Sequence, residues 1–323
     1  MSAVEQALSD ALGERALPVV TVAQAMVEPG VYDDIPADDY HASPGVSKHQ
    51  LDLLRMKSPA HLKFEREHPR PPTQALRWGE AFHVLVLEGD DAFDQRFAIV
   101  PEDAPRRPSE RQINAKKPGA ATLEAMSWWD EFDAMHEGKV YLKDKPGEDP
   151  AWNPSEWDRI RYMRDAVNDH PVASIFLEEG RPEQSVYAVD PDLGLLVRCR
   201  TDFWCIRHQT IVDLKMARDA SMEAFARAAA DYRYHVQDAF YLDVNYYAGR
   251  TAHGFMFIVA ENTPPYPVAC YAITPEWRNT ARSMYLRDLE RYAQCLNTGR
   301  WPAYEEVIRP LELPAYARVA RIR

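Results

Sequence analysis

Asp202, Asp213 and Lys215 are the residues of this chain whose types and spacing best suit chemistry. Asp213 and Lys215 stand two apart in the β-rich run TIVDLKM, so on a strand both side chains leave one face. Val212 and Leu214 point the other way and can anchor that strand in a core. Asp202 falls late in the preceding β-rich run, and the tight turn Arg207-His208-Gln209 returns the chain antiparallel. That places Asp202 close to Asp213. Two carboxylates can hold a hard divalent cation, Mg²⁺ with Mn²⁺ as its substitute, through oxygen ligation. Such a cation lowers the pKa of its water and screens charge developing on a phosphate. A neighbouring lysine can position the attacking water, help deprotonate it, or stabilise the pentacovalent phosphorane. The trio therefore suits metal-assisted phosphodiester hydrolysis. Taken alone, the same spacing equally fits a salt-bridge pattern on an edge strand.

The elements that must position these groups follow from the patterning. EQSVYAV and LLVRCRTDFWCI, joined by DPDLG, predict a β-hairpin whose Gly194 can take positive φ. TIVDLKM is a third strand, HGFMFIVA a fourth, and PYPVACYAI a fifth, placed at an edge by the prolines at its approach. Helical residues 219–248 are broken near Asp231, and 275–297 form a long closing helix. Trp277, Ala281, Met284, Leu289, Tyr292 and Leu296 are expected on its core side. Upstream, Ser47-Lys48-His49-Gln50 starts a helix, and Ser58-Pro59 begins the next piece. Pro69, Pro71 and Pro72 then break the chain. Residues 74–88 read as a helix, with Leu76, Phe82, Val86 and Leu87 near the apolar stripe and His83 one turn below Leu87. Two further helices are expected at 120–136 and 154–168. The order is helices, a β-meander, a helical crossover and two more strands, which makes an α/β core under a helical N-terminal section.

At 323 residues the chain can bury a sizeable core without staples. Thirty-eight basic against 50 acidic residues give a net charge of −12, which excludes a wholly basic nucleic-acid coat protein. It does not exclude a nucleic-acid enzyme, because a small basic cleft can sit in an acidic envelope and metal-holding carboxylates add to the minus sign. The loop 101–119 concentrates Arg106, Arg107, Lys116 and Lys117 among prolines. It reads as a solvated surface loop or as a contact for phosphate backbone. Cys199, Cys205, Cys270 and Cys295 show no zinc-site spacing and read as reduced thiols, Cys199 and Cys205 facing the same side of one strand. There is no signal peptide and no apolar run of membrane-spanning length, so a cytoplasmic protein with no membrane partner is expected. The domain reading is an N-terminal extension over 1–40, a main domain over 41–300 and a C-terminal tail over 301–323.

Four separated blocks add a resemblance: GEAFHVLVLE at 79–88, GLLVRCRTDFW at 194–204, IVDLKMARDA at 211–220 and DYRYHVQDAFY at 231–241. Together they resemble the PD-(D/E)XK nuclease superfamily. Within it they are most similar to the RecE-like, RecB-type exodeoxyribonucleases of phages and prophages (exonuclease VIII-like). The resemblance covers most of residues 40–297. It implies a restriction-endonuclease-like core, a central mixed β-sheet flanked by helices. It places the metal ligands on His83, Asp202, Asp213 and the backbone carbonyl of Leu214, with Lys215 as the signature lysine. Its Gln-x-x-x-Tyr signature falls on Gln237 and Tyr241, four apart on one helix face, where they would orient the lysine or a substrate phosphate. Arg233, one turn earlier, is a further candidate phosphate contact. Glu183 falls where such nucleases often carry an acidic residue. Without the resemblance, His83, Gln237 and Tyr241 read as ordinary helix residues.

Thr201 stands where the family often has proline, and Met216 where it often has a small hydroxyl residue after the lysine. Neither change removes a ligand, though Met216 puts a thioether in place of a hydrogen-bonding group. There is no clustered cysteine set for an iron–sulfur centre and no Walker A motif. The resemblance implies a Mg²⁺-dependent exodeoxyribonuclease acting on double-stranded DNA ends. It would digest the 5′-ended strand, leave a 3′ overhang for recombination, and work with a single-strand annealing protein as a homo-oligomer or ring. The alternatives are a related nuclease for single-stranded or structured DNA, or a non-catalytic DNA-binding or assembly subunit that retains the fold.

Overall fold

Six strands build one sheet, and among the described residues helices pack on its two faces. The computed structural model describes residues 27–68, 74–304 and 307–312. Most of the N-terminal extension, the breaks at Pro69, Pro71 and Pro72, and most of the C-terminal tail lie outside the described residues.

The N-terminal part runs from β1 (Gly30–Tyr32) through the helices α1 (Ala37–Ala42), α2 (Lys48–Met56) and α3 (Pro59–Glu67). Ser47 and Gln50 form a reciprocal capping box at the start of α2. Ser58 caps α3, with Pro59 at its first turn. Helix α4 (Gln74–His83) runs into a π-helical turn (Val84–Glu88), where a single continuous helix was expected. Gly89 ends it at φ +89°, a conformation open to glycine, and α5 (Asp90–Arg96) follows. Strands β2 (Phe97–Val100) and β3 (Val140–Lys143) form a separate parallel pair, with α6 (Glu110–Ile113) and α7 (Ala120–Met135) between them. Helices α8 (Glu156–Asp169) and α9 (Ala173–Leu177) lead into the main sheet.

That sheet contains β4 (Gly180–Val189), β5 (Leu196–Cys205) and β6 (Thr210–Ala217) as an antiparallel meander. Helices α10 (Met222–Asp231) and α11 (Tyr234–Tyr247) cross over to β7 (Gly254–Glu261), which pairs parallel with β6. The edge strand β8 (Val268–Tyr271) and the long helix α12 (Pro275–Thr298) close the fold. The order is β1-β4-β5-β6-β7-β8, a mixed sheet flanked by helices. Gly194 in the β4–β5 turn has φ +64°, and the Asp190 carboxylate accepts from the Asp192 and Leu193 amides to close that turn. The edge strand β1 pairs with Ser185–Tyr187, so the segment before residue 40 contributes to the sheet.

One core lies under α4, α8 and the even residues of β6 and β7, including Phe82, Ile160, Val212, Leu214 and Ile258. Another lies under α2, α11 and α12, including Leu51, Val186, Phe240 and Leu289. Cys199 packs in the second core and Cys205 in the first. They do not share a side, because the alternation along β5 changes phase between them. All four cysteines are free thiols. Leu76 and Trp277, expected toward the core, are exposed. Trp277 sits in the first turn of α12, beyond the reach of the cores that hold Ala281, Leu289 and Tyr292. Among the described residues no helix is long and apolar enough to cross a membrane.

Candidate active site

The site forms where the central sheet opens. β5 and β6 pair from Cys205↔Thr210 to Phe203↔Val212, and the pairing stops there. The next residues in that register are Asp202 and Asp213. In place of a ladder bond, the Leu214 amide donates to Asp202 Oδ2 at 2.9 Å. A side chain thus satisfies a backbone donor that the partner strand leaves free. On the other flank, β4 pairs with β5 at Pro182↔Phe203 and at Gln184↔Thr201 but omits Glu183. Glu183 has φ +51°, a left-handed backbone that costs a non-glycine residue on the order of 1–3 kcal/mol and collects at functional sites. Glu183, Asp202 and Asp213 therefore fall in one row across three adjacent strands.

His83 reaches this row from the end of α4, the last residue before the π-helical turn. Buried Phe82, Val84 and Leu85 fix the chain on either side of it. Its Nδ1 lies 3.7 Å from Asp202 Oδ2, and the ring also meets the Leu214 backbone. One ligand atom from each of His83, Glu183 and Asp202 lies within 4.8 Å of the other two. Asp213 is the most buried of the acids, its side chain 1% exposed. It forms an ion pair with Lys215 Nζ and accepts a hydrogen bond from Gln237 Nε2. Gln237 thus orients the carboxylate that in turn holds the lysine. Tyr241, one turn further along α11, packs edge-on to Phe255 with ring centroids 6.0 Å apart. It lines the cores behind the site.

The electrostatics follow from crowding acids in a poorly solvated place. Burial and then the Asp213 charge push the Asp202 carboxyl up to about 7. Burial and Asp202 also raise Glu183, although Arg200 Nε donates to its Oε2 at 2.6 Å. Burial and the Lys215 charge lower His83, which favours the neutral, ligating imidazole. Burial pulls on Lys215 in the same downward sense, but Asp213 and Asp202 outweigh it and the net shift is upward. The lysine is a stable cation beside carboxylates that are costly to ionise without one.

Hard carboxylate oxygens with one neutral imidazole nitrogen form a donor set suited to Mg²⁺ or Mn²⁺. His83, Glu183 and Asp202 converge tightly enough to hold such an ion, and Asp213 and the Leu214 backbone border them. Glu183, which only the family pattern singled out in the sequence, is tied by its geometry to Asp202. The buried Thr201 donates to the Gln184 carbonyl at 3.4 Å, and Met216 packs against the core beneath the site.

One other candidate is corrected. Arg233 is buried, and its guanidinium pairs with Asp52 at 2.9 Å and with Asp288 at 2.5 Å. It joins α11 to α2 and α12 and is not available to a phosphate. Arg107 stacks on Trp129 with 4.0 Å to the ring centroid and pairs with Asp133 at 2.6 Å, so it pins its loop to α7. Arg106, Arg107, Lys116 and Lys117 are all exposed on that loop. Lys48 and Tyr234 were not singled out in the sequence. Lys48 Nζ pairs with Asp52 at 2.6 Å and lies 5.8 Å from the Tyr234 ring centroid, and Lys215 Nζ lies 5.1 Å from that centroid. The signals were a capping box that puts Lys48 at the first position of α2, and a tyrosine three residues before Gln237.

A family model described as "PDDEXK-like domain of unknown function (DUF3799)" matches residues 51–311. No curated protein matches the chain. Among solved structures, a crystal structure described as that of a "Putative exonuclease" from Eubacterium rectale is similar. It has 14% sequence identity and a TM-score of 0.46, with 88% of this chain and 96% of that chain covered.

Proposed function

Since the chain belongs to the family of PDDEXK-like domains of unknown function (DUF3799), we propose that it is a Mg²⁺-dependent nuclease, an exodeoxyribonuclease acting on the ends of double-stranded DNA. The observation that carries this reading is the row Glu183, Asp202 and Asp213 at the opening of the sheet, with His83 and Lys215 beside it.

His83, Glu183, Asp202, Asp213 and the Leu214 carbonyl would hold the ion. A divalent cation bound there supplies Lewis acidity to the phosphodiester and acidifies water near it. Lys215, kept cationic by Asp213 and Asp202, stabilises the negative charge that grows on the phosphorane oxygens. Asp213 fixes the ammonium in place, and Gln237 fixes Asp213. The apolar packing of Tyr241 and Phe255 keeps that side of the row dry, which strengthens each of these charge interactions. Arg106, Lys116 and Lys117 supply cationic contacts to the DNA backbone. Digestion of the 5′-ended strand, handover of the 3′ overhang to an annealing protein, and assembly as a homo-oligomeric ring complete the proposal.

The test is digestion of linear duplex labelled separately at its 5′ and 3′ ends, with Mg²⁺ and with EDTA. Covalently closed circles serve as the control. Metal-dependent loss of the 5′ label with intact circles supports the reading. Cutting of the circles would make the protein an endonuclease, and inertness toward every DNA with either metal would overturn the nuclease reading.

A further inference from the structure

Beside the site stands a column of aromatic rings that the proposed chemistry does not use. Tyr271 stacks on Phe225 at 5.1 Å and 14°, Phe225 on Tyr234 at 5.8 Å and 27°, and Tyr234 on Tyr232 at 5.7 Å and 29°. The base of the column is in the core, where Phe225 is buried and the Tyr271 hydroxyl donates to the Ala220 carbonyl at 2.7 Å. Its top, Tyr232, is 62% exposed. The column ends in solvent one ring short of where the next would lie.

The residue carrying that last ring is held firmly. Tyr232 ends α10, and its carbonyl accepts a hydrogen bond from Lys48 Nζ at 2.8 Å. Arg233, next along the chain, has φ +55° and is locked by its buried pairs with Asp52 and Asp288. These contacts hold the backbone beneath the exposed ring, so the ring is presented to solvent from a fixed Cα. The third ring of the column, Tyr234, lies 5.1 Å from the ammonium of Lys215. The column thus runs past the reacting group, and its exposed end opens one ring away from it.

We propose that Tyr232 is a stacking platform for an unpaired nucleobase of the strand whose phosphate lies at Lys215. A nucleobase is flat, and each base offers a π-face whatever its sequence, so such a platform grips a strand without reading it. A base inside a duplex has both faces covered by its neighbours, and a terminal pair leaves only its outer face open. The platform therefore favours an end over duplex interior, and an unpaired base, which can turn either face to the ring, over a paired one. This inference rests on the nuclease reading and names the form of DNA that the site accepts.

The test uses single-stranded oligonucleotides carrying one 2-aminopurine, moved stepwise from each end, titrated with the full chain in Ca²⁺. The wild type is expected to quench 2-aminopurine strongly at one position. Tyr232→Ala should lose that quench and bind about tenfold more weakly, while Tyr232→Trp retains both. An abasic residue at the same position should weaken wild-type binding by a similar factor and leave Tyr232→Ala unaffected. Cleavage of labelled single strands and duplexes by the wild type is run in parallel. Absence of cleavage there sinks the nuclease reading. Cleavage together with undiminished quenching and affinity in Tyr232→Ala overturns the platform alone.

Discussion

Asp202 and Asp213 stand opposite each other on β5 and β6, at the first step beyond the last paired residues, Phe203 and Val212. Two like charges facing each other would be destabilising in an ordinary sheet. Here the pairing ends, the Leu214 amide turns to Asp202, and Asp213 takes Lys215 and Gln237 as its partners. The sheet gives up ladder bonds at this point and gains a crowded anionic pocket in return.

That pocket makes stability depend on pH. Asp202 is raised to about 7 by burial and by Asp213, above its value in the unfolded chain. Its favourable contribution is fully present below the unfolded pKa and is lost as pH rises through the folded one. The metal-free protein should therefore lose stability, and its Tm fall, as pH rises from about 4 to about 7. Asp202→Asn should flatten the fall, and added Mg²⁺ should reverse it in the wild type only. Thermal melts across this range check the prediction, and a Tm that rises with pH would refute it.

Lys215→Ala should slow single-turnover cleavage by about 10²- to 10³-fold, the usual cost of removing a donor aimed at developing charge. Affinity for DNA should change by only a few-fold. The separation is read by pairing single-turnover rates with filter-binding titrations. An equal loss in both would make Lys215 a binding group.

Arg233→Ala should leave salt-dependent DNA affinity almost untouched in whatever fraction stays folded. It should cost about 3–5 kcal/mol of stability, because Asp52 and Asp288 would be left buried without their cation. Denaturant titration measures this directly. A stable variant with weakened DNA binding would restore Arg233 as a phosphate contact.

Neutralising Arg106, Lys116 and Lys117 together should weaken DNA binding and lower the slope of log K against log salt by roughly 0.9 per lost contact. Arg107→Ala should instead loosen the loop, since its guanidinium is engaged by Trp129 and Asp133. Binding isotherms at several salt concentrations distinguish the two effects. A slope unchanged in the triple variant removes this loop from the DNA path.

The meander, the crossover helices and the edge strand were legible because strand alternation and turn residues act locally. Gly194 and the Asp190 turn are cases where one residue's conformation fixes a connection. Asp202, Asp213 and Lys215 could be brought together from spacing alone, because a hairpin return fixes register. His83 could not, since its partner lies more than a hundred residues away and only the family pattern pointed to it. Glu183 was obscured for another reason. A left-handed backbone at a glutamate within a strand has no propensity signal. The role of Arg233 was misplaced because helix-face arithmetic assumes helical backbone. Arg233 instead sits at the left-handed break between α10 and α11 and turns inward to Asp52 and Asp288.

The row of acids beside Lys215 is proposed as a divalent-metal phosphodiesterase centre. The most direct test is single-turnover cleavage of an end-labelled DNA by the wild type and by Asp213→Asn across a Mg²⁺ titration, with Mg²⁺ binding to each measured by calorimetry. The wild type should bind the ion and release nucleotides in proportion to its occupancy. Asp213→Asn should stay folded and bind DNA, yet cleave at least about 10³-fold more slowly. Equal rates in the two proteins, or cleavage that survives EDTA, would contradict the account.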